Sequence, residues 1–543
     1  MSADLEKHLS APSDLEREGT FHQDRLERPL KKAIFFQALD PAQAEAVNLD
    51  AGKVEYTPEE EYKVKRKIDN TVLPLVICRY SCTYAVLSAL NPISGSQSIN
   101  LANRTNIGNA HVLTEFNENF GITTNQKWTL ALSIFYVGYC LLEMPANGRP
   151  SSSVHSGEFT SDVISFFLSL TFWGLSSLSF VYAKGYGALL TLRVLLGIGE
   201  AGYYAGMIYY LSFWYKRHEL AMRVSLCMTG TYPGAIGGLL AFGLVRAKTT
   251  VLAGWQFLYL IEAIPTLIMA FMILLFLPPF PFYATFLSPR ERAIAQARLN
   301  RDHKPQSHGG MTGWGGFKAV VTDIHCWMFM TVYASFNVGV ATISYFLPTL
   351  IKDLGFTAID AQGLTVAPYV AGWFMVVFQA WHSDRTRDRG LHIVLSCFTA
   401  FVGYLILATS VEKSVGASYF ALFLVIGGLY SLFPLVMSWA ANSFAPTSKR
   451  GVGTAFIVSV SNCVSIASPQ IYFDQEDSYR KGHGIAAGCV FLSGVVALLL
   501  HLRLKSLNRR NKTRLEKMSE NEKNVLALSD EISDTDPRYV FMT

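Results

Sequence analysis

Apolar residues in this chain are gathered into about twelve blocks, each roughly 20 residues long and separated from the next by a polar segment. A helix needs about 20 apolar residues to cross the hydrocarbon layer of a bilayer, and it satisfies its own backbone hydrogen bonds there. Only 16% of the 543 residues are charged, below the share of about 25% that is typical of soluble domains. The blocks therefore predict an all-α integral membrane protein with about twelve transmembrane helices. The spans are expected near residues 72–91, 127–147, 160–182, 187–211, 222–245, 255–277, 326–350, 364–381, 391–410, 416–444, 452–473 and 484–502.

Lysine and arginine give these spans an orientation, because short cytoplasmic loops are enriched in both residues. Basic clusters follow the fourth, sixth, eighth, tenth and twelfth spans: Lys216, Arg217 and Arg223; Arg290, Arg292, Arg298, Arg301 and Lys304; Arg385, Arg387 and Arg389; Lys449 and Arg450; Arg503, Lys505, Arg509 and Arg510. The loops of the opposite side are sparser, with Lys184, Lys352 and Lys413 nearly alone in theirs. We therefore expect a multi-pass protein with both termini in the cytoplasm.

A long polar stretch near the middle of the chain divides the spans into six and six. The expected parts are a cytoplasmic polar tail at 1–68, an N-terminal six-helix half at 69–277, a cytoplasmic central loop at 278–325, a C-terminal six-helix half at 326–503 and a cytoplasmic tail at 504–543. The polar composition of both tails predicts disorder. In the central loop, Ser288 and Pro289 predict the N-cap and first residue of a short amphipathic helix. Two six-helix halves are typical of a duplicated transporter fold.

Other classes of protein are disfavoured by what the sequence lacks. The eight cysteines all lie in or beside apolar blocks, and none forms a Cys-x-x-Cys pair, which indicates buried thiols rather than metal ligands or disulfides. The sequence contains no metal cluster, nucleophile elbow or phosphate-binding loop. We therefore expect no enzymatic activity, no bound metal or other cofactor, and no nucleic-acid partner.

The fourth span carries two ionisable residues, Arg193 and Glu200, each of which costs a few kcal/mol at the bilayer centre unless it is paired or hydrated. Their spacing of seven places them on one face of the helix, two turns apart. The functional interpretation is a cation facing a cavity and a carboxylate that loads and releases a proton, with Tyr204 continuing the polar face. A structural pair between helices, or an arginine that extends to the interface, is the alternative.

Three further ionisable residues lie in predicted spans. Arg79 in the first span and Glu262 in the sixth are further candidates, and Arg79 could provide a positive charge for an anionic substrate. An interfacial or helix-pairing role explains both residues at least as well. Glu143 lies near the end of the second span and is followed by Pro145. A structural role is the better interpretation for Glu143.

In the C-terminal half, polar and aromatic side chains replace charges within the spans. A small organic molecule is commonly held by a few directed hydrogen bonds and an aromatic wall. The predicted lining residues are Tyr333, Asn337, Tyr345, Tyr430, Trp439 and Asn442, with Tyr369, Trp373 and Asn462 as further members of the same class. Hydrogen bonding between helices and anchoring at the interface are the alternatives.

A tightly charged turn, Asp384-Arg-Thr-Arg-Asp-Arg-Gly390, follows the eighth span. Such a turn between two helices can pair with neighbouring helix ends and hold one conformation. Asp384, Arg385 and Arg387, together with Arg104 after the first span, are therefore predicted to form a conformational latch. A simple positive-inside signal is the alternative.

Three motifs in this chain resemble those of the major facilitator superfamily, and within it the fungal anion:cation symporter family that includes allantoate permease. Arg104-Thr-Asn-Ile-Gly-Asn-Ala110 is similar to the signature after the first span. Arg193-Val-Leu-Leu-Gly-Ile-Gly-Glu-Ala-Gly202 is similar to the fourth-helix motif, and Asn337-Val-Gly-Val-Ala-Thr-Ile-Ser-Tyr-Phe-Leu-Pro348 to the seventh-helix motif. The charged turn at 384–390 is similar to the loop motif of the superfamily. The likeness covers most of residues 65–515.

The resemblance implies a fold and a function. The fold is two six-helix halves that alternate access to a central site. The function is uptake of a small organic anion, such as allantoate, a ureide or a carboxylate vitamin like nicotinate or pantothenate, together with protons. Arg193 and Glu200 correspond to the fourth-helix pair. The resemblance also implies a plasma-membrane location, and we expect a monomer whose partners are the anion, the proton and the lipid bilayer.

Two stretches depart from the family pattern. An extra polar stretch at 91–103 lacks the usual aspartate, and residues 147–161 replace a basic loop after the second span, with Arg149 as the only basic residue. We hypothesise that one or both stretches are gene-model errors, in which case this chain would not represent the functional protein. Full-length coverage of both stretches in the mature transcript would refute this.

Two further functions stay open from the sequence. A nutrient sensor that kept the transporter fold would signal instead of transporting, and such proteins tend to carry long cytoplasmic extensions with partners. The tails of this chain resemble no folded domain, which favours transport. An efflux antiporter also stays open, because these motifs do not define the direction of transport.

Overall fold

The computed structural model describes most of the helical body of the chain. The described residues are 55–76, 107–147, 159–201, 203, 210–211, 214–216, 219, 231–245, 252–277, 281, 284, 286–302, 313–410, 413–445, 447–474, 476–522, 534 and 536–543. Helix is the dominant structure, and no β-strand occurs within these ranges. The all-α fold class is therefore confirmed.

The N-terminal half and the first part of the central loop contain eight helices in the described ranges. They are α1 (Pro58–Val76), α2 (Thr114–Phe120), α3 (Asn125–Asn147), α4 (Phe159–Ser179), α5 (Tyr186–Glu200), α6 (Thr231–Val245), α7 (Gly254–Phe276) and α8 (Pro289–Asp302). The central loop ends with α9 (Gly313–Val321). Ser288 and Glu291 exchange hydrogen bonds between backbone and side chain at the start of α8, which confirms the predicted cap.

The C-terminal half follows the same plan with longer helices. They are α10 (Ile324–Asp353), α11 (Ala358–Leu364), α12 (Val366–Thr386), α13 (Gly390–Ser410), α14 (Val415–Ser443), α15 (Thr447–Cys463) and α16 (Arg480–Lys517), with two short 3₁₀ turns, Val464–Ile466 and Ser468–Ile471, after α15. Each predicted span overlaps one of the helices described, the first only over residues 72–76 at the end of α1. Beyond Val76 the first span lies outside the described residues.

Seven helices in the described ranges are long and apolar enough to cross a bilayer. They are Gly254–Leu275, Ile324–Asp353, Ala358–Thr386, Gly390–Ser410, Val415–Ser443, Val452–Ile471 and Arg480–Lys517. Many large apolar side chains on these helices point outward, as Phe374, Phe398 and Leu499 do, each more than half exposed in the protein alone. Such a surface is suited to lipid rather than to water. The chain is thus a multi-pass membrane protein.

The two ends of the helical bundle differ in charge. One end carries the loops at 121–124, 180–185, 354–357 and 472–479, in which Lys184 is the one lysine or arginine, and we call it the charge-poor end for its lack of basic residues. The other carries α8, the turn at 387–389 and the segment 444–449, and we call it the basic end. Loops at the charge-poor end are joined by hydrogen bonds, such as that from the Asn119 side chain to the Ala183 carbonyl at 3.0 Å.

One contact between the two halves joins α3 to the segment formed by α15 and the 3₁₀ turns. Near the charge-poor end, Asn125 donates to the Tyr472 carbonyl at 2.7 Å. The Gln470 amide accepts from Thr129 and donates to Ser133, both at 3.1 Å. Helix α6 also packs against α11 and α12. The halves are therefore closed against each other at the charge-poor end.

Helix α1 begins inside the region that was expected to be a disordered tail. It packs on α8 through ion pairs between Lys67 and Glu291 at 2.7 Å and between Glu60 and Arg290 at 2.9 Å. Arg298 of α8 is fully buried, and Glu219 is its ion-pair partner. The expectation of disorder is wrong for residues 58–68, because charges at the basic end have complementary partners there.

The C-terminal tail also departs from the expectation of disorder. Helix α16 continues to Lys517, well beyond the predicted end of the last span at 502, and residues 534 and 536–543 return to the body as the C-terminal segment. In this segment the Phe541 side chain is 5% exposed, and the Met542 carbonyl accepts from the Trp439 indole at 2.8 Å. Apolar burial and specific hydrogen bonds offset the entropy of ordering a polar tail.

Further contacts attach the C-terminal segment to several helices. The Arg389 backbone N–H donates to the Thr543 carbonyl at 2.8 Å, and Lys449 forms ion pairs with Asp534 and, at 2.9 Å, with Asp323. Burial would raise the pKa of Asp323. Hydrogen bonds from His325 and Lys449 outweigh this and hold the pKa below its ordinary value.

The Asn508 side chain is a specific test of this docking. Its amide donates to the Phe541 carbonyl at 2.8 Å and its oxygen accepts from the Phe541 N–H at 2.9 Å. Replacement Asn508→Ala removes both bonds, so protection of the segment from hydrogen exchange should fall about tenfold, corresponding to about 1–2 kcal/mol. Lys512→Ala, at an exposed site on the same helix, is the control. Equal exchange in the two variants would contradict the docking.

Candidate functional site

Arg193 lies at the boundary between the two halves and is 1% exposed. Its Nε donates to the Ala131 carbonyl of α3 at 3.0 Å. The guanidinium carbon lies 4.9 Å from the ring centroid of Phe135 and 5.7 Å from that of Tyr345, which belongs to α10 of the other half. Aromatic faces attract a cation at such distances. The predicted residues Arg193 and Tyr345 are therefore brought together by the fold.

Close packing of α3 and α5 positions this arginine. A Cβ on Gly197 would lie 2.1 Å from the Phe135 carbonyl oxygen, and one on Gly138 would lie 2.5 Å from that of Val194. Gly199 faces α4, where a Cβ would lie 3.0 Å from that of Trp173. Helices approach this closely only where the side chain is a hydrogen atom. Gly197 and Gly199 therefore permit the close approach of α5 to α3 and α4.

Nothing among the described residues forms an ion pair with Arg193, and its Nη2 atom has no hydrogen-bond partner. Glu200 lies at the end of α5 and is half-buried. Seven residues of helix separate the two by a rise of about 10 Å, so they share a face without touching. The predicted pair is therefore two separate groups in this conformation. A buried cation without a carboxylate partner can be neutralised by an anion.

A second carboxylate lies in the same half on α7. Glu262 is 4% exposed, and Tyr259 of the same helix lies within electrostatic reach of both Glu262 and Arg193. The sequence indicated Glu262 as an open case between substrate binding and helix pairing. Its burial near the arginine keeps both interpretations available.

A chain of hydrogen bonds crosses between the halves further along α3, and we call it the polar chain. It consists of Tyr139, Glu143, Asn462, Asn337 and Ser465. Glu143 is 2% exposed, and its Oε1 accepts from Tyr139 at 3.2 Å and from Asn462 of α15 at 3.4 Å. Asn337 donates to Asn462 at 3.3 Å and to Ser465 at 2.8 Å. About five helical turns on α3 thus lead from the Asn125 contact at the charge-poor end to a buried carboxylate.

The contact of α3 with the C-terminal half was not predicted from the sequence. Its polar residues Asn125, Thr129 and Ser133 recur every four positions, which places them on one face of a helix. That period in an otherwise apolar span was the available signal for a contact with another helix. Glu143 was interpreted as structural because only its position near the end of the span was considered, and its partner Asn462 is over 300 residues away.

Two other predicted aromatic residues of the C-terminal half are buried close to the interface. The Tyr430 hydroxyl lies 2.8 Å from the Ser344 hydroxyl, and its ring centroid lies 5.9 Å from that of Tyr369. Tyr333 packs edge-on against Phe433, with ring centroids 5.7 Å apart. The structure does not place either beside Arg193.

Trp439 and Asn442 have another role than lining a site with Arg193. Both lie at the end of α14 and contact the C-terminal segment. The Asn442 carbonyl accepts from the Tyr539 hydroxyl at 2.6 Å. The indole N–H of Trp439 donates to the Met542 carbonyl. The sequence could not indicate this, because the partner residues are in a tail of polar composition.

The charged turn after α12 is held by a residue that was not singled out as a latch. Asp384 pairs with Arg389 at 2.7 Å, and Arg389 also donates to Ser438 at 2.5 Å. Arg385 instead lies over the Trp381 ring at 5.5 Å, and Arg387 caps α12 with a φ of 55°. Of the predicted latch residues, Asp384 alone makes an ion pair within the described part of the turn.

Several predicted residues lie outside the described residues. They are Arg79, Arg104 and Tyr204, as well as most of the two departing stretches at 91–103 and 147–161. Within the described ranges, no group of three or more His, Cys, Asp or Glu side chains is arranged to hold a metal ion.

Comparison with known proteins agrees with this architecture. Residues 93–469 match the family model described as Major Facilitator Superfamily. The chain belongs to that superfamily. The major facilitators similar to it include the MFS transporter prlL of a fungal species (strain NRRL 50135), at 29% identity over 75% of this chain and 82% of the relative. The major facilitator-type transporter hxnP of Emericella nidulans is also 29% identical, over 76% and 79%. This member is accordingly a transporter and not an enzyme.

Solved major facilitator structures share the fold. The proton:xylose symporter XylE bound to 6-bromo-6-deoxy-D-glucose has a TM-score of 0.58 at 16% identity, covering 78% of this chain and 95% of that one. A bacterial homolog of the human lysosomal transporter Spinster, in an inward-facing and unoccupied conformation, has a TM-score of 0.57 at 13% identity, over 78% and 97%. At these identities the likeness concerns the fold alone.

Gly197 is expected to be indispensable for the packing that positions Arg193. Gly197→Ala should lower the free energy of unfolding by about 1–3 kcal/mol, because the added methyl group meets backbone of α3. Gly187→Ala in the same helix is the matched control, since a Cβ there meets nothing within 4 Å. Thermal unfolding in detergent measures both variants. If the free energy of unfolding falls no more in Gly197→Ala than in Gly187→Ala, the close packing of α5 on α3 is contradicted.

Proposed function

We propose that this chain is a secondary active transporter that takes up a small organic anion together with protons by alternating access. The transporter class rests on the family. The anionic substrate and the proton coupling are proposals, and each is supported by a separate feature of the site. The energy source on this proposal is the proton gradient.

The buried guanidinium of Arg193 is the observation that carries the anionic substrate. It is 1% exposed, has one nitrogen without a hydrogen-bond partner and has no ion-pair partner in the described residues. A buried charge of this kind is costly unless something neutralises it. A carboxylate substrate would pair with the free edge of the guanidinium, which binds planar oxyanions with two parallel hydrogen bonds. Phe135 and Tyr345 would supply the apolar wall.

Alternating access is supported by the way the halves meet. Their described contacts lie near the charge-poor end and along α3 to the polar chain. On the positive-inside rule the basic end faces the cytoplasm, with both termini on that side. The conformation would then be closed toward the outside. Rocking of one half against the other would open the charge-poor end and expose Arg193 there.

Proton coupling requires a carboxylate that the cycle exposes to each side in turn. Glu200 is our expected proton carrier, because it shares a helix face with Arg193 and is half-buried at the end of α5. Substrate at Arg193 and a proton at Glu200 would be coupled through the same helix. The separation of the two groups leaves each accessible to its own ligand.

The finer classification is also a proposal. The motifs at 104–110, 193–202 and 337–348 support membership of the allantoate permease-like symporters. Allantoate, other ureides and carboxylate vitamins such as nicotinate or pantothenate are the substrates to examine first. We propose a monomer in the plasma membrane. An efflux antiporter or a nutrient sensor would use the same fold with a different direction or output.

Uptake into proteoliposomes tests the proposal. A competition screen over carboxylate vitamins, ureides and short peptides first identifies a transported compound, and its uptake should be faster with an inward proton gradient. Arg193→Gln should then reduce uptake at least about tenfold, because a charge-assisted hydrogen bond contributes about 1.5–3 kcal/mol and its loss leaves the anion unpaired. Arg193→Lys should retain part of the activity, since it keeps the charge but not the planar fork.

Controls make the result specific. Arg509→Gln changes an exposed arginine of α16 and should leave uptake unchanged. Glu200→Gln should leave binding intact but remove the effect of the proton gradient. Uptake that is insensitive to a protonophore would refute the coupling. Uptake at the unmodified rate by Arg193→Gln would refute the role of the arginine. Export in the same vesicles would identify an antiporter.

A further inference from the structure

The structure assigns to Glu143 a role that the proposed substrate site does not include: it links proton binding to the separation of the two halves. This inference rests on the proposed function in that it assumes proton-driven movement of the halves. Protonation of Glu143, and not only protonation of Glu200, alters that movement. Glu143 is a positioning residue on this account, because it acts through Asn462 and not on the substrate.

The two hydrogen bonds at Glu143 Oε1 differ in what they connect. The bond from Tyr139 stays within α3, one helical turn away, at 3.2 Å. The bond from Asn462 comes from α15 of the other half, at 3.4 Å. Separation of the halves at this level breaks the Asn462 bond and leaves the Tyr139 bond intact. Through the bond from Asn462, the hydrogen bonding of Glu143 therefore depends on the relative position of the halves.

Protonation changes the strength of that bond. A carboxylate accepts a hydrogen bond about twice as strong as a neutral acid does. An ionised Glu143 thus favours the closed contact between α3 and α15, and a proton on Glu143 weakens it. The Asn462 amide is held in place for this by Asn337, which donates to its oxygen at 3.3 Å and to Ser465 at 2.8 Å. The donor is pre-oriented toward the carboxylate.

The surroundings of Glu143 are largely neutral in the described part of the chain. The titratable side chains at this level of α3 and of the elements packed around it include Tyr139 and Cys140 on α3, Glu200 on α5, Tyr333 on α10 and Cys463 on α15. Glu200 is the one other carboxylate among them, so the test must separate the two. The charges of α15 itself, Lys449 and Arg450, lie near the opposite end of that helix.

Two native cysteines provide a probe of this contact without any knowledge of the substrate. Cys140 follows Tyr139 on α3 and Cys463 follows Asn462 on α15, one in each half. Their thiols lie close enough to interact, and both are partly exposed. A short bifunctional thiol reagent should join them only while the halves are closed here. The other six cysteines, at positions 78, 82, 227, 326, 397 and 489, are replaced by alanine for this experiment.

The experiment compares cross-linking of the Cys140–Cys463 pair between pH 8 and pH 5 in liposomes. In the otherwise native background, the yield should fall about fivefold to tenfold as the pH is lowered. Glu143→Gln should give a low yield at both values, because its neutral amide mimics the protonated acid. Comparison of the two variants at each pH cancels the pH dependence of the thiol reaction itself. Tyr139→Phe should keep the pH response, because its bond lies within one half.

Three results would overturn the inference. They are a yield in Glu143→Gln that follows pH as in the native background, a yield in the native background that does not respond to pH, and loss of the response in Glu200→Gln but not in Glu143→Gln. Asn462→Ala is the second variant if Glu143→Gln does not elute as a single species, and it should likewise abolish the response. A pH response without any proton-driven uptake would refute the proposed function and leave the role of Glu143 standing.

Discussion

Helix α3 makes the two contacts on which the rest of the arrangement depends. On one side, Gly138 and the neighbouring backbone of Phe135 meet α5 so closely that a methyl group would not fit. On another, Asn125, Thr129 and Ser133 bond to the segment after α15. In lipid there is little hydrophobic gain from bringing helices together, so tight packing and polar bonds must do it. One contact builds the N-terminal half, and the other joins it to its partner.

Contacts with helix α3 determine where both the Arg193 guanidinium and the Glu143 carboxylate lie. Arg193 reaches the boundary between the halves because Gly197 lets α5 lie against α3, and it then finds the rings of Phe135 and Tyr345. Glu143 lies further along α3, where α15 provides Asn462. A movement that separates α3 from α15 therefore affects both levels. Substrate binding and proton binding can be coupled through one rigid element without direct contact between the two groups.

Much of this could be predicted from the sequence, and the missing part has a physical reason. Apolar length alone located the helices, and Ser288 and Pro289 located the start of α8, because both signals are local. Gly197 is likewise a local signal, because a glycine in a membrane helix allows another helix to approach closely. The partners of Glu143, Trp439 and Asn442 could not be predicted, since each partner lies far away in the sequence. The C-terminal segment is the clearest case: its polar composition indicated disorder, while Phe541 and Met542 carry the contacts that order it.

We propose that the two halves alternate between contact and separation at the charge-poor end, and that this structure has them in contact. Spin labels at Glu118→Cys, on the short helix α2 before α3, and Glu476→Cys, in the loop before α16, report the distance across that end directly. Distance measurements in liposomes at low pH with a transported anion should show a second population, longer than the one seen at high pH. A single short distance that is the same at every pH, with and without the anion, would contradict the account.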